Sequence, residues 1–573
     1  MQYTISYSNP LTHLLDIEVL IKDIKSPYLD LKLPAWRPGR YEAAHYAKNV
    51  QQLRTYSVKN TPLRVIKISP TTWRVTMAGE NDLKVKYRYY AHQLDAGGSF
   101  LDEQFLYINF VNCMVYTENR IGSSHEVRLD LPEQYKVACG LQEKGTTWMA
   151  NSYHELADSP LVASEGLEHH SYLAGGVTFH IWIEGRHSLN MDTLIHQFEQ
   201  FSQTQVSMFG EFPTEEYHFL FLFLPYRFYH GVEHRKSTVI CIGPAAELDD
   251  DALYKELLGV SSHELFHAWN VMKIRPKELM PVNFDAPIIF PTGFVAEGFT
   301  TYYGDLLLAR SGVFGRTEYF KELERLLTRH FMNFGRLNNS LVDSSIDLWM
   351  DGYQPSAPHK KSSIYVEGAV LALLLDLSTR KASNNAKSLD DVMRMLWEEH
   401  GKTGKGYSLE EILVLCERAS GLSMKTFFED YALGTRDTKD LLKECLSDCG
   451  IELSFEDRSN RLERTLGARM LEKEEGFEIV SIEPGSIGEQ FFSLKDIITT
   501  VDKTPVKEWL ELETENNDVN IELSRNHTKK HLQLLINDGN SYLKVPKVML
   551  GKSLSKKQQA RLDSWLGTPQ HLT

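Results

Sequence analysis

The sequence predicts a multidomain α+β chain. Three observations carry that expectation. At 573 residues the chain is too long for one hydrophobic core. Its first 165 or so residues alternate apolar and polar positions with period two, and its middle shifts to helical spacing. From about residue 460 to 540 the strand pattern returns.

The opening region, residues 1–165, reads as a β-sandwich. Runs such as DIEVLIKDI, TTWRVTMAG and LKVKYRYYA are short and alternating, with turn residues between them. The segment YHFLFLFLPY, residues 217–226, is apolar throughout and suits a strand buried on both faces. After it the period changes. DDDALYKELLGVSSHELFHAWNVM places Leu253, Leu257, Val260, Phe266 and Trp269 at helical spacing behind an acidic N-terminus that suits the helix dipole. FVAEGFTTYYGDLLLARSG predicts a second helix ending near Gly312, and YVEGAVLALLLDLSTRK a third. Helical segments continue to about residue 450.

The boundaries expected are 1–165, 166–455, 456–545 and 546–573, the last a helical tail. Lys544, Lys547, Lys552, Lys556, Lys557 and Arg561 make that tail basic, and it reads as a solvated terminal helix.

Composition narrows the function. Asp and Glu total 77 against 62 Lys and Arg, a net charge of −15, which argues against a nucleic-acid partner. No run is long and apolar enough to span a membrane. The N-terminus reads as a strand rather than a leader, and six scattered cysteines suggest no disulfide framework. A cytoplasmic location is therefore expected, or a periplasmic one if a leader precedes this sequence.

The chemistry concentrates in His263-Glu264-Leu265-Phe266-His267. Residues four apart on a helix lie about 40° apart and one turn up, so two imidazoles can share one tetrahedral zinc. The glutamate beside the first of them reaches a water there as general base. A pentapeptide is short enough to arise by chance, and a catalytic zinc needs a third protein ligand. Glu297 is the candidate. Its neighbours Val295, Phe299, Tyr302 and Tyr303 predict burial, and a buried carboxylate needs a partner. Upstream, Glu233 follows Gly231 at the end of a strand. By spacing it is either an ordinary strand end or a carboxylate placed for a substrate α-amine.

Taken together these stretches resemble the glycyl aminopeptidase family of zinc metallopeptidases, relatives of thermolysin and of the large zinc aminopeptidases. LPAWRPGRYEAAHYAKNV and YHELADSPLV resemble the family's N-terminal β-domain. HGVEHRKST resembles its substrate strand, and HELFHAWNVMKIRPKEL and VAEGFTTYYGDLLLARSG its two zinc helices. SIYVEGAVLALLLDL resembles the helix that follows, and residues 460–540 an appended PDZ domain.

The resemblance implies a thermolysin-like, mainly helical catalytic domain and a C-terminal PDZ-like domain. It implies one Zn²⁺ per chain on His263, His267 and Glu297, with Glu264 as general base. Tyr365, otherwise read as a core tyrosine, is implied to donate to the oxyanion. Glu233 is implied to bind the substrate's free N-terminus, with the backbone of Gly231 and Val232 along the substrate.

His230-Gly231, followed by Val232, stands where the family has a tandem glycine before its Leu-Glu-His stretch, so the extra side chain is expected to narrow or reshape the first substrate pocket and to loosen a strict glycine preference. Leu466-Gly467-Ala468 resembles a PDZ carboxylate loop, while Lys495 and Lys503 stand at usual PDZ glycine positions. Thr301 or Asp305 are the candidates to support the zinc histidines from behind. His169, His170 and His234 read as surface or core histidines.

The activity expected is removal of one N-terminal residue, Gly or Ala, from peptides. Two alternatives stand beside it. One is an endopeptidase or oligopeptidase whose PDZ-like domain presents peptide C-termini. The other is a non-catalytic peptide-binding scaffold with a structural zinc.

Overall fold

The computed structural model describes residues 1–351, 357–512, 517–537, 539 and 541–568. The N-terminal region is β-rich. An eight-stranded sheet is built around Gln2–Ser6, which pairs antiparallel with Leu14–Ile21 and parallel with His125–Leu129. A three-stranded and a five-stranded sheet accompany it. Ile17 and Val85 of the first sheet, Leu31 and Val75 of the second, and Leu106 and Leu161 of the third join one core. The strict alternation along Leu14–Ile21 follows from one face meeting that core.

The second sheet system carries the functional site. Its strands are β1 (Glu168–Ala174), β2 (Val177–Glu184), β3 (Glu216–Phe223), β4 (Phe228–Glu233) and β5 (Ser237–Gly243). Their order is β1-β2-β3-β5-β4, with β2, β3 and β5 parallel and β4 antiparallel at the edge. One face, with Phe179, Phe219 and Phe221, packs on Phe198 and Phe201 of helix α1 (Met191–Phe209). The other face, with Leu220, Leu222 and Val239, packs on Phe105, Tyr107 and Val162 of the N-terminal region. Burial on both faces accounts for the unbroken apolar run in β3.

Helices α2 (Asp251–Phe266), α3 (Phe299–Arg310), α4 (Arg316–Met332) and α5 (Val366–Ala382) cover the edge of this sheet. Asp250 caps α2 by accepting from the amides of Ala252 and Leu253. Two details differ from the helices expected. The α2 helix ends at Phe266, so His267 is its cap rather than an interior residue. The segment ahead of α3 is not α-helical: Phe294–Gly298 forms a π-turn.

A third core, around Leu462, Ile479, Val501 and Ile521, belongs to a separate antiparallel sheet between residues 468 and 535. Lys495 (φ 72°) and Lys503 (φ 66°) adopt the left-handed conformation there, which glycine enters without the Cβ penalty. The Gly467 amide donates to the Glu463 carbonyl as a helix cap, so that amide is not free to cradle a carboxylate.

The boundaries expected at 455/456 and 545/546 both fall inside strands. Ile451–Glu456 pairs antiparallel with Val545–Leu550, closing the third unit at its base. The terminal helix α6 (Lys556–Leu566) is not merely solvated. Lys552, Lys556 and Lys557 are exposed, but Leu562, Trp565 and Leu566 enter the main core, and Arg561 is buried against Asp448. The basic residues mark one face of an amphipathic helix, and the other face is covered. All six cysteines are unpaired. Among the described residues no helix is long and apolar enough to cross a membrane.

Candidate active site

His263 and Glu264 leave the last turn of α2, and His267 follows at its cap. The two imidazoles converge, with Nε2 to Nε2 at 3.1 Å. Glu297 reaches them from the π-turn, its Oε2 3.4 Å from His267 Nε2. A π-turn carries one residue more than an α-turn and re-aims the side chains it holds.

Asn270 stabilises that turn. Its side-chain amide donates to the Val295 carbonyl at 2.9 Å, the Ala296 carbonyl at 3.2 Å and Thr300 Oγ1 at 3.0 Å. Its backbone carbonyl accepts from His267 Nδ1 at 2.6 Å. That bond places a proton on Nδ1 and turns Nε2 toward Glu297. His267 is thus supported by Asn270 rather than by Thr301 or Asp305. Thr301 donates to the Glu297 carbonyl, and Thr300 approaches His267 Nδ1 at 3.4 Å. The interior of α3 also has to be small. Gly304 packs on the His263 backbone, where a Cβ would lie 3.3 Å from His263 Cα.

Edge strand β4 runs past this cluster. Gly231 faces Glu264, and a Cβ at Gly231 would collide with the Glu264 carboxylate. Glu233, two residues on, points the same way and is buried. Val232 points to the opposite face and is packed in the core with Leu220 and Val239. Strand alternation turns its side chain away from the cleft. His230 lines the cleft instead, 3.8 Å from Asp95.

The N-terminal region completes the site with a loop that sequence reasoning assigned only to the N-terminal domain. Trp36 and Tyr41 anchor it in the main core. The Trp36 indole donates to the Asn283 carbonyl, and the Tyr41 hydroxyl donates to Glu297 Oε1 at 3.4 Å. Gly39, at φ +79°, lies so close to Glu233 that a Cβ would strike its carboxylate. The available signal was Trp-Arg-Pro-Gly-Arg-Tyr, a Pro-Gly turn between aromatic anchors.

A cavity of about 900 Å³ opens over the cluster, lined among others by Gly39, Gly231, His263, Glu264 and Tyr365. Tyr365 sits at the N-cap of α5, outside the helix expected to contain it.

The electrostatics call for a cation. Glu233, Glu264 and Glu297 are only 3–6% exposed. One oxygen each of Glu233 and Glu264 has no hydrogen-bond partner. Burial pushes the Glu264 carboxyl up to about 8, with His267 opposing and Glu233 and Glu297 adding to the rise. Burial raises Glu233 as well. His263 is held well below the ordinary histidine range by burial and then by His267, so it is a neutral donor. At His267 burial opposes charge, but Glu297 outweighs it and lifts the group to about 10. Three buried carboxyl groups thus crowd around His267. Donor atoms of His263, His267 and Glu297 lie within 4.8 Å of one another. Two imidazoles and a carboxylate are a donor set that could hold a metal ion of the zinc type.

The remaining histidines singled out earlier have structural partners. His169 stacks on Trp182, His170 contacts Glu168, and His234 is buried against Asp158.

Two family descriptions match the chain. They are the peptidase M61 N-terminal domain over residues 2–165 and M61 glycyl aminopeptidase over residues 256–371. No curated protein matches it. Among solved structures, an aminopeptidase N family protein from Idiomarina loihiensis superposes with a TM-score of 0.90 at 24% identity, over 99% of each chain. An M1 zinc metallopeptidase from Deinococcus radiodurans gives a TM-score of 0.48 at 15% identity, over 76% of this chain and 93% of that one.

Proposed function

This chain carries the N-terminal and peptidase domains of the M61 glycyl aminopeptidase family, and on that premise we propose that it is a zinc aminopeptidase acting on peptides with a free N-terminus. We read its middle region as a thermolysin-like catalytic domain and its third sheet unit as PDZ-like. His263, His267 and Glu297 would hold one Zn²⁺. When bound, zinc supplies Lewis-acid polarisation of the scissile carbonyl and acidifies the attacking water.

Glu264 takes the proton from that water and later delivers it to the leaving amine. Burial keeps its affinity for protons high enough to do both. The missing Cβ at Gly231 lets Glu264 lie against β4, and the backbone of Gly231 and Val232 would run along the substrate. Tyr365 donates its hydroxyl to the developing oxyanion. Glu233 receives the substrate ammonium.

The observation that carries this reading is Glu233. A buried carboxylate with an unpartnered oxygen stands two residues beyond Gly231, against the Gly39 backbone. That arrangement closes the cleft at one end and leaves a charge for an ammonium to satisfy. The preference for Gly or Ala is taken from the family. A peptide C-terminus at Leu466-Gly467-Ala468 is not part of the reading, since the Gly467 amide already caps a helix.

The test compares a glycyl chromogenic amide with its N-acetylated twin on zinc-loaded protein. The expected result is turnover of the free amine with loss of at least about two orders of magnitude for the blocked one, because acetylation leaves Glu233 buried and unpaired. Equal cleavage of both would establish an endopeptidase instead.

A further inference from the structure

Behind Glu233 lies a second cavity, of about 260 Å³, between the N-terminal region and the catalytic sheet. Its size falls just below the roughly 300–1,000 Å³ of drug-sized sites, which fits a small ligand. Its lining is mixed, with Val111, Val282 and Phe284 apolar and Arg37, Arg235 and Arg275 basic.

Neither Arg235 nor Arg275 has a carboxylate within 4.0 Å among the described residues. The lining contains a single acid, Asp158, and its two oxygens are engaged by His234 Nδ1 and by the Arg235 backbone amide, each at 3.1 Å. Arg275 donates Nε to the Val271 carbonyl at 2.8 Å, a neutral acceptor. Arg235 Nε and His234 Nε2 are buried without a partner.

Crowding is felt nearby. Burial, then Arg235 and Arg275, hold Lys273 below the ordinary lysine range, and burial with the same two arginines depresses His154. In a chain of net charge −15 this is a local concentration of positive charge. Arg235 and Arg275 are half-buried at this cavity, and a carboxylate matches the planar donor edge of a guanidinium.

We propose that this cavity binds a small organic carboxylate, its anion held by Arg235 and Arg275 and its apolar body seated on Val111 and Phe284. The apolar part of the lining distinguishes this occupant from an inorganic anion, which would leave Phe284 facing a void or water. Such a ligand touches both sheet systems, so it also ties the N-terminal region to the strand end that bears Glu233.

The test is isothermal titration on the full chain after chelation of metal, so that binding at the zinc cleft does not contribute. The probes are N-acetyl-phenylalanine, its uncharged amide, and inorganic phosphate. The blocked amine keeps the first probe off Glu233. The acid is expected to bind one per chain, and the amide at least about tenfold more weakly, the loss of a charge-assisted hydrogen bond. Arg235→Gln and Arg275→Gln are each expected to weaken the acid by a similar factor, while Arg235→Lys retains most of it. Arg235 lies in a surface turn, so its variants keep the test open if Arg275→Gln does not fold. Equal binding of acid and amide, phosphate binding as tightly as the acid, or indifference to both arginines would each overturn the proposal. None of these outcomes depends on peptidase activity.

Discussion

The Asn270 carbonyl accepts the His267 Nδ1 proton at 2.6 Å while the Asn270 side chain reaches three acceptors on the turn that presents Glu297. One residue therefore orients two of the three proposed metal donors. Its backbone sets the tautomer of His267, and its side chain satisfies carbonyls that the π-turn leaves without α-helical partners. Asn270→Ala is expected to lower zinc affinity about tenfold or more, in the range seen when supports of metal ligands are removed. Competition against a chelator dye measures it, and unchanged affinity would show that the turn holds Glu297 unaided.

Gly231→Ala places a methyl against the Glu264 carboxylate. A displacement of about 1 Å at a general base costs on the order of a hundredfold in rate. The variant is expected to lose about that much kcat while zinc content stays at one per chain. Steady-state kinetics beside metal analysis separates this from loss of the metal. Full activity would mean that the edge strand is free to move away from α2.

His125 predicts an acid limb of stability. It is buried, with Nδ1 3.2 Å from the Tyr3 hydroxyl, and burial followed by the N-terminal charge holds it down at about 4. The unfolded chain takes up that proton near pH 6.5. Between those values the unfolded state binds more protons than the folded state, so stability rises with pH across this window. Acidification from pH 6.5 to 4 is expected to remove up to about 3 kcal/mol through this group. Urea denaturation of the wild type and of His125→Gln checks it. The variant should show a shallower decline below pH 6.5, and identical profiles would exclude His125 as a contributor.

Trp565 links the terminal helix to α3. Its indole donates to the Tyr302 hydroxyl at 2.9 Å, and Tyr302 donates to Asp376 at 2.6 Å. Trp565→Ala is expected to cost about 3–5 kcal/mol, as for other fully buried aromatics. Trp565→Phe, which keeps most of the volume, is expected to cost about 1 kcal/mol for the hydrogen bond. Thermal unfolding of zinc-loaded protein reads both. A small effect of the alanine variant would mean that α6 contributes little to the core.

Much of the molecule was legible in the linear sequence because the signals are local. Helical spacing in α2 and α5, alternation in Leu14–Ile21 and the apolar run of β3 each follow from which faces are buried. The spacing of His263 and His267, with Glu264 between, is a property of one helix, and Glu297 was readable from its apolar neighbours.

What remained was set by contacts between segments far apart in sequence. Nothing near Tyr41 or Gly39 indicates that their loop meets Glu297 and Glu233, some 200 or more residues away. The roles of Asn270 and Trp565 depend on partners on other elements. The orientation of Val232 was decided by the register of β4 on β5, since a side chain's face in a sheet depends on pairing rather than composition. By itself, then, the sequence determined which elements form and which side chains can ligate or transfer protons, because those are matters of local periodicity and residue chemistry. Only the tertiary structure decided which carboxylates are buried together and which arginines are left without acids, because desolvation and charge pairing exist only after distant segments pack.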